Sequence, residues 1–240
     1  MNTAIIAGVG PLDGLGAQLC VRFSQLNLHV VVVGRTKEKL DRVVQEIESA
    51  GGQATAAVCD TQQEDNVIQL FKESSQIGEI ELAVFNVGNN FPGTIVDMEA
   101  EYFETAWRTV CLGGFYFGRE AAKQMQAVGK GTILFTGASA SLRGKTNFGA
   151  FNSSKAALRT FAQALAKEVG PEGIHVGHII IDGPINGDKI KSRFPDYASK
   201  AGDEGMISIE GIVDAYEYMY RQQKTAWSFE LDLRTAVEKW

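Results

Sequence analysis

Glycine crowds the start of the chain, in the run Ala7-Gly8-Val9-Gly10-Pro11-Leu12-Asp13-Gly14-Leu15-Gly16. An apolar, β-branched stretch leads into it and a helical pattern begins inside it, so the run reads as a turn from strand to helix. Glycines there permit φ > 0 and let the backbone approach a pyrophosphate, which meets the unpaired N–H groups and positive end of the helix. The chemistry on offer is an anion cradle built from Gly8, Gly10, Gly14 and Gly16, with Leu12 and Leu15 counted among its backbone. A nucleotide-binding fold inspects the adenosine ribose about twenty residues further on, and the chain there reads Gly34-Arg35. An acid at that place would bond the ribose 2′-OH and repel a 2′-phosphate, whereas Gly34 leaves room and Arg35 supplies a planar cation. NADP(H) is favoured over NAD(H), with Lys37 or Lys39 able to share the role.

These residues need a scaffold, and the rest of the chain supplies its pattern. Short β-branched runs at Ala4 to Ala7, Leu28 to Val33, Ala54 to Val58, Leu82 to Asn86, Thr132 to Thr136, His175 to Ile181 and Phe229 to Leu233 read as strands. Helical patterns fall between them at Leu15 to Gln25, Lys37 to Ala50, Gln62 to Ser75, Glu101 to Ala127, Phe151 to Val169 and Ile209 to Gln222. The alternation predicts an α/β fold: a seven-stranded parallel sheet, doubly wound, with helices on both faces. One domain over residues 1–240 is expected. The last strand, in the aromatic run from Ala226 to Arg234, is expected to be buried. Asp182 to Gly205 shows little periodicity and is expected to be a long, mobile excursion over the C-terminal edge of the sheet, where ligands of such folds bind.

Apolar residues make up 45% and charged residues 22%, the balance of an ordinary globular protein. A net charge of -6 without any basic block argues against nucleic acid or an anionic membrane as partner and for a small-molecule substrate. Cys20, Cys59 and Cys111 are odd in number and widely spaced, as buried, reduced thiols would be. No apolar stretch approaches the ~18 residues that cross a bilayer, and Met1 to Val9 runs straight into a strand, so a cytoplasmic protein is expected. His175 and His178 lie three apart on a strand and face opposite ways, with His29 in another strand, so no metal site is expected.

The chain resembles the short-chain dehydrogenase/reductase family over essentially its whole length. Gly10-Pro11-Leu12-Asp13-Gly14-Leu15-Gly16 is similar to the family's Thr-Gly-x-x-x-Gly-x-Gly turn, with Val9 in place of the threonine, and Gly8-Val9-Gly10 leaves an expanded alignment open. Cys59-Asp60 resembles the acid that holds the adenine amino group, and Phe85-Asn86-Val87-Gly88 the Asn-Asn-Ala-Gly element after the fourth strand. The resemblance implies a Rossmann fold, a homo-oligomer (dimer or tetramer), and cofactor contacts from Asp60, Asn86, Val87, Gly88, Lys155, Gly183 and Ile185. The family's Tyr-x-x-x-Lys pair sets a phenol and an ammonium on one helix face, the lysine binding the nicotinamide ribose and the tyrosine exchanging a proton with the substrate oxygen.

Here that pair reads Phe151-Asn152-Ser153-Ser154-Lys155. The family's serine aligns with Ala138, its helical asparagine with Cys111, and the Pro-Gly after the sixth strand with Asp182-Gly183. The longer tyrosine spacing of the enoyl reductases falls on Phe148, which is no better. Of the four family groups only Lys155 stands in place. The expected activity is hydride transfer to or from a carbonyl or alcohol with a divergent proton path, in which Ser139 leads and Ser141, Cys111, Asp182, a water held by Lys155 or a substrate hydroxyl are alternatives. The other reading is an NADP(H)-binding sensor, scaffold or partner subunit without turnover. Substrate identity would rest on Asn89 to Met98 and Asp182 to Gly205.

Overall fold

The computed structural model describes residues 1–88, 90–202 and 204–238, so Asn89 and Asp203 of the two substrate segments lie outside the described residues. The chain runs β1 (Asn2–Ala7), α1 (Leu15–Ser24), β2 (Leu28–Gly34), α2 (Lys37–Ser49), β3 (Gln53–Val58), α3 (Glu64–Ile77), β4 (Ile80–Phe85) and α4 (Ala100–Trp107). After a π turn, Arg108–Leu112, it continues through α5 (Gly113–Gln126), β5 (Gly131–Ala138), α6 (Gly149–Val169), β6 (Ile174–Ile181), α7 (Asp188–Arg193), α8 (Pro195–Ala201), α9 (Ile209–Tyr220) and β7 (Glu230–Leu233).

Among the described residues the strands form one parallel sheet in the order β3-β2-β1-β4-β5-β6-β7. Side chains alternate across a strand, so β1 sends Ala4 and Ile6 to one face and Ile5 and Ala7 to the other. Each face buries its own core. Leu19, Phe23, Leu40, Tyr216 and Met219 from α1, α2 and α9 cover the first, and Phe71, Phe117, Leu158 and Ala162 from α3, α5 and α6 cover the second. Two covered faces explain why Val30 to Val33 of β2 are apolar without a break.

Strand order reverses between β1 and β4, which opens a crevice at their C-terminal ends. Ala7 pairs with Phe85 there, so Gly8 and Asn86 leave the sheet side by side.

Three expectations need correction. The single helix expected over Glu101 to Ala127 is interrupted by the π turn, which holds Cys111 half-buried rather than buried. The 182–205 segment is not structureless: it carries α7 and α8, too short to show a helical period in sequence. The last strand is half-buried, because β7 is the edge of the sheet. No described helix is long and apolar enough to cross a membrane.

Candidate functional site

The glycine turn is built by close approach. Gly8 has φ +92°, and a Cβ on it would stand 2.5 Å from the Asn86 carbonyl oxygen, so no other residue fits. A Cβ on Gly16 would stand 2.7 Å from the Gly8 carbonyl oxygen, which lets the first turn of α1 close onto the strand end. Gly14 caps α1 without a side-chain bond, leaving the helix N–H groups to a ligand. Gly10 is different, with no atom within 4 Å of its Cβ position. Its Cβ position opens onto free space. Leu12 is exposed and its carbonyl accepts from Gln18, while Leu15 is buried at the start of α1.

Gly34 behaves otherwise than expected. A Cβ there would stand 2.6 Å from the Val9 carbonyl oxygen and 2.9 Å from Leu40, so the space it leaves is taken by the glycine turn rather than by a ribose phosphate. Arg35 follows it, exposed at the end of β2 and without a hydrogen-bond or ion-pair partner among the described residues. Lys37 is committed to Asp41 at 2.7 Å. Asp60 lies half-buried beyond β3, its carboxylate accepting from the Gln62 N–H at 3.1 Å.

A chain of hydrogen bonds ties the turn to Lys155. Asn86 Nδ2 donates to the Gly8 carbonyl at 3.4 Å, and Asn86 Oδ1 accepts from Thr136 Oγ1 at 2.9 Å. The Tyr216 hydroxyl bonds the same Thr136 oxygen from the face of the sheet that α1, α2 and α9 cover. Thr136 then offers its carbonyl to Lys155 Nζ at 2.7 Å. Lys155 is 4% exposed, and burial pulls its pKa from the ordinary 10.5 to about 8. Gly88 borders the ammonium, since a Cβ there would stand 3.5 Å from Nζ. Val87 packs against the second core, and Ile185 meets Ile207 in an isolated bridge beyond Gly183. Asn86, Gly88, Thr136 and Lys155 thus meet at the floor of the crevice.

The positions that the family resemblance assigns to a proton relay lie as follows. The Phe151 ring centroid lies 5.9 Å from Lys155 Nζ, one helical turn away on the same face. Ala138 ends β5, and Ser139 is half-buried, with its carbonyl accepting from the Leu142 and Arg143 N–H groups. Ser141 turns inward, where its Oγ accepts from the Ala138 N–H at 3.2 Å. Burial raises the Cys111 pKa, so that thiol gives up its proton less readily. Asp182 is buried at 1% exposure, with its carboxylate held by Arg143 at 2.8 Å and Arg234 at 3.8 Å.

Sequence reasoning missed Thr136, Tyr216 and Arg143. A lone threonine in the apolar run Ile133-Leu134-Phe135-Thr136 could have signalled the first. Tyr216 is hidden within an ordinary amphipathic helix, and no spacing marks Arg143.

The family model for short chain dehydrogenases matches residues 2–197. The chain is 30% identical to a 7alpha-hydroxysteroid dehydrogenase of Escherichia coli over 190 residues, 79% of this chain and 73% of that protein. It is 29% identical to a versicolorin reductase of Emericella nidulans over 198 residues, 82% of this chain and 74% of that one. Among solved structures, a short-chain dehydrogenase from Rhodopseudomonas palustris aligns at TM-score 0.84 and 36% identity, covering 97% of this chain and 98% of that chain.

Proposed function

Because the chain belongs to the short-chain dehydrogenase family, we propose that it binds NADP(H) in preference to NAD(H) and transfers hydride to or from a carbonyl or alcohol of a small molecule, by a proton route that avoids residue 151. The observation that carries this reading is Lys155, an ammonium kept where solvent cannot reach it and wired through Thr136 and Asn86 to the glycine turn. A buried cation is costly to the fold and is retained where a ligand needs it.

The residues fit a dinucleotide. Gly8, Gly10, Gly14, Leu15 and Gly16 would hold the pyrophosphate, and the close backbone contacts at Gly8 and Gly16 support that reading. Asp60 would meet the adenine, Arg35 the 2′-phosphate, and Lys155 the nicotinamide ribose. Arg35 is the side chain for the phosphate because it is exposed and unpaired while Lys37 is taken. When bound, the cofactor supplies or accepts the hydride. The protein's share is to hold the substrate oxygen and to keep a proton available near Lys155.

Ala138 and Phe151 favour a second reading, a cofactor-binding protein without turnover, because both family hydroxyls are missing, and Cys111 stands where the family has asparagine. Fluorescence titration with NADPH and NADH, followed by a carbonyl and alcohol panel read at the reduced-nicotinamide absorbance, separates the two. Turnover of any panel member supports the enzyme; tight binding without turnover supports the sensor or scaffold; failure to bind either cofactor defeats both.

A homo-oligomer, dimer or tetramer, is part of the same proposal. Phe103 and Trp107 of α4 and Phe115 of α5 are exposed, a surface that a second copy would cover. Light scattering that finds only monomer at micromolar concentration would refute it. The free thiols Cys20, Cys59 and Cys111 fit a reducing, cytoplasmic setting.

A further inference from the structure

The two hydroxyls that would face a substrate oxygen are absent at positions 138 and 151, and a guanidinium is paired with the residue that follows the strand partner of the first of them. Ala138 of β5 pairs in register with Ile181 of β6, so Asp182 is the next residue beyond that pair. The backbone N–H of Asp182 donates to the Leu233 carbonyl at 2.8 Å, which fixes it to the sheet edge. Its buried carboxylate accepts from Arg143 Nη2, at 2.8 Å to Oδ1 and 3.0 Å to Oδ2.

The backbone of Arg143 is fixed as well. Its N–H donates to the Ser139 carbonyl at 3.1 Å, and its own carbonyl accepts from Nδ2 of Asn152, the neighbour of Phe151, at 2.6 Å. The side chain remains 41% exposed, and its Nε and Nη1 make no hydrogen bond among the described residues. The result is a planar cation anchored from behind by a buried carboxylate, with donors to spare, between the end of β5 and the start of the helix that carries Lys155.

We propose that Arg143 is a catalytic residue that takes the reacting oxygen of the substrate in place of the missing serine and tyrosine hydroxyls, with Asp182 as the residue that positions it. This rests on the oxidoreductase reading above. In the reducing direction the carbonyl carbon receives hydride from the reduced nicotinamide, and the π pair of the carbonyl moves onto oxygen. Arg143 would hold the resulting alkoxide until water gives it a proton and departs as hydroxide, and a bound nicotinamide, having supplied the hydride, would be left oxidised. The guanidinium stays protonated throughout, so it acts by charge and direction rather than as an acid. A fixed cation at the developing oxyanion removes the need for a proton donor at the moment of hydride transfer. That is why a site with Phe151 and Ala138 can still turn over.

The test uses full-length protein labelled with 15N-arginine and saturated with NADP+, which cannot reduce a ketone. The Arg143 Nε–H signal is identified by its loss in Arg143→Lys, and cyclohexanone, benzaldehyde and acetate are titrated in turn. Cyclohexanone or benzaldehyde should move that signal and bind about tenfold more weakly to Arg143→Gln. With NADPH, Arg143→Gln should lose about 10² to 10³ in kcat on any turned-over carbonyl compound, Arg143→Lys should lose less, and added guanidinium should restore part of the rate to Arg143→Ala. A purely structural arginine would not respond to added guanidinium.

Should Arg143→Gln fold poorly with Asp182 left unpaired, Arg143→Gln/Asp182→Asn removes the stranded charge and carries the same expectation. The proposal is overturned by turnover in the folded glutamine variant within about threefold of wild type, by failure of both carbonyl compounds to move the Arg143 signal, or by a response to acetate alone, which would make Arg143 a carboxylate site remote from the chemistry. Cofactor binding is read separately by quenching of protein fluorescence, so its failure and that of the Arg143 proposal are distinguishable.

Discussion

Replacing Lys155 by methionine should make the cofactor-free protein more stable while it destroys cofactor binding. Burial takes the Lys155 pKa from 10.5 to about 8. Between those two values the unfolded chain carries the proton and the folded one does not, so stability from this group rises with pH across that window. Below about pH 8 both states are protonated and the folded state bears the whole cost. A fall of about 2.5 pH units corresponds to about 3 kcal/mol at about 1.36 kcal/mol each.

Methionine keeps the length and removes the charge. It also removes the 2.7 Å bond from Nζ to the Thr136 carbonyl, worth about 1 to 2 kcal/mol. The net expectation at pH 7 is a gain of about 1 to 2 kcal/mol, or about 2 to 8 °C in Tm for a chain of this size. Urea and thermal unfolding of both proteins without cofactor would measure it. Because other lysines and tyrosines titrate in the same range, the quantity to follow is the difference between variant and wild type, which should fall with rising pH and change sign before pH 10 as wild type sheds the cost of its buried charge. A variant less stable at pH 7, or a difference that does not change with pH, would refute the reasoning and leave Lys155 an ordinary structural residue.

Four further expectations concern the cradle, Arg35 and the relay positions. Gly8→Ala combines φ +92° with a Cβ 2.5 Å from the Asn86 carbonyl oxygen, and should cost about 2 to 4 kcal/mol in denaturant unfolding; a cost under about 1 kcal/mol would contradict the geometry. Gly10→Ala meets no atom within 4 Å, so stability should change by less than about 0.5 kcal/mol while cofactor affinity falls about tenfold, and unchanged affinity would remove Gly10 from the phosphate site. Arg35→Ala should weaken NADPH about 10- to 100-fold and leave NADH nearly untouched, with an equal effect on both counting against the 2′-phosphate contact. Phe151→Tyr with Ala138→Ser should raise kcat on a carbonyl panel by about 10²; no gain would mean that the substrate does not meet these two positions.

Much of the scaffold was legible because its determinants are local or periodic. Seven β-branched runs separated by amphipathic segments allow little besides a doubly wound sheet, and β2 declares its double burial by four consecutive valines. The glycine turn is legible for a different reason. Gly8 and Gly16 are required by backbone contacts that no other residue satisfies, so the composition of the turn records its shape. Where the signal depended on length it failed: α7 and α8, at 6 and 7 residues, are too short to show a helical period. The π turn left no mark either, since Arg108 to Leu112 continues the helical pattern on both sides.

The candidate site divides along the same line. By itself the amino-acid sequence determined that a glycine-rich turn precedes α1, that a lysine stands at 155, and that cysteine, alanine and phenylalanine stand at 111, 138 and 151, because each of these is a matter of residue type at a fixed spacing. Only the tertiary structure decided what those residues touch. It turned Gly34 toward Val9, withdrew Ser141 into its own turn, and joined Tyr216 to the Asn86 side chain through the Thr136 hydroxyl. It also joined Arg143 to Asp182, which lie 39 residues apart in the chain. The reason is physical: periodicity fixes which face a side chain takes, whereas a partner across the sheet is set by strand order and register, and these exist only once the sheet has assembled.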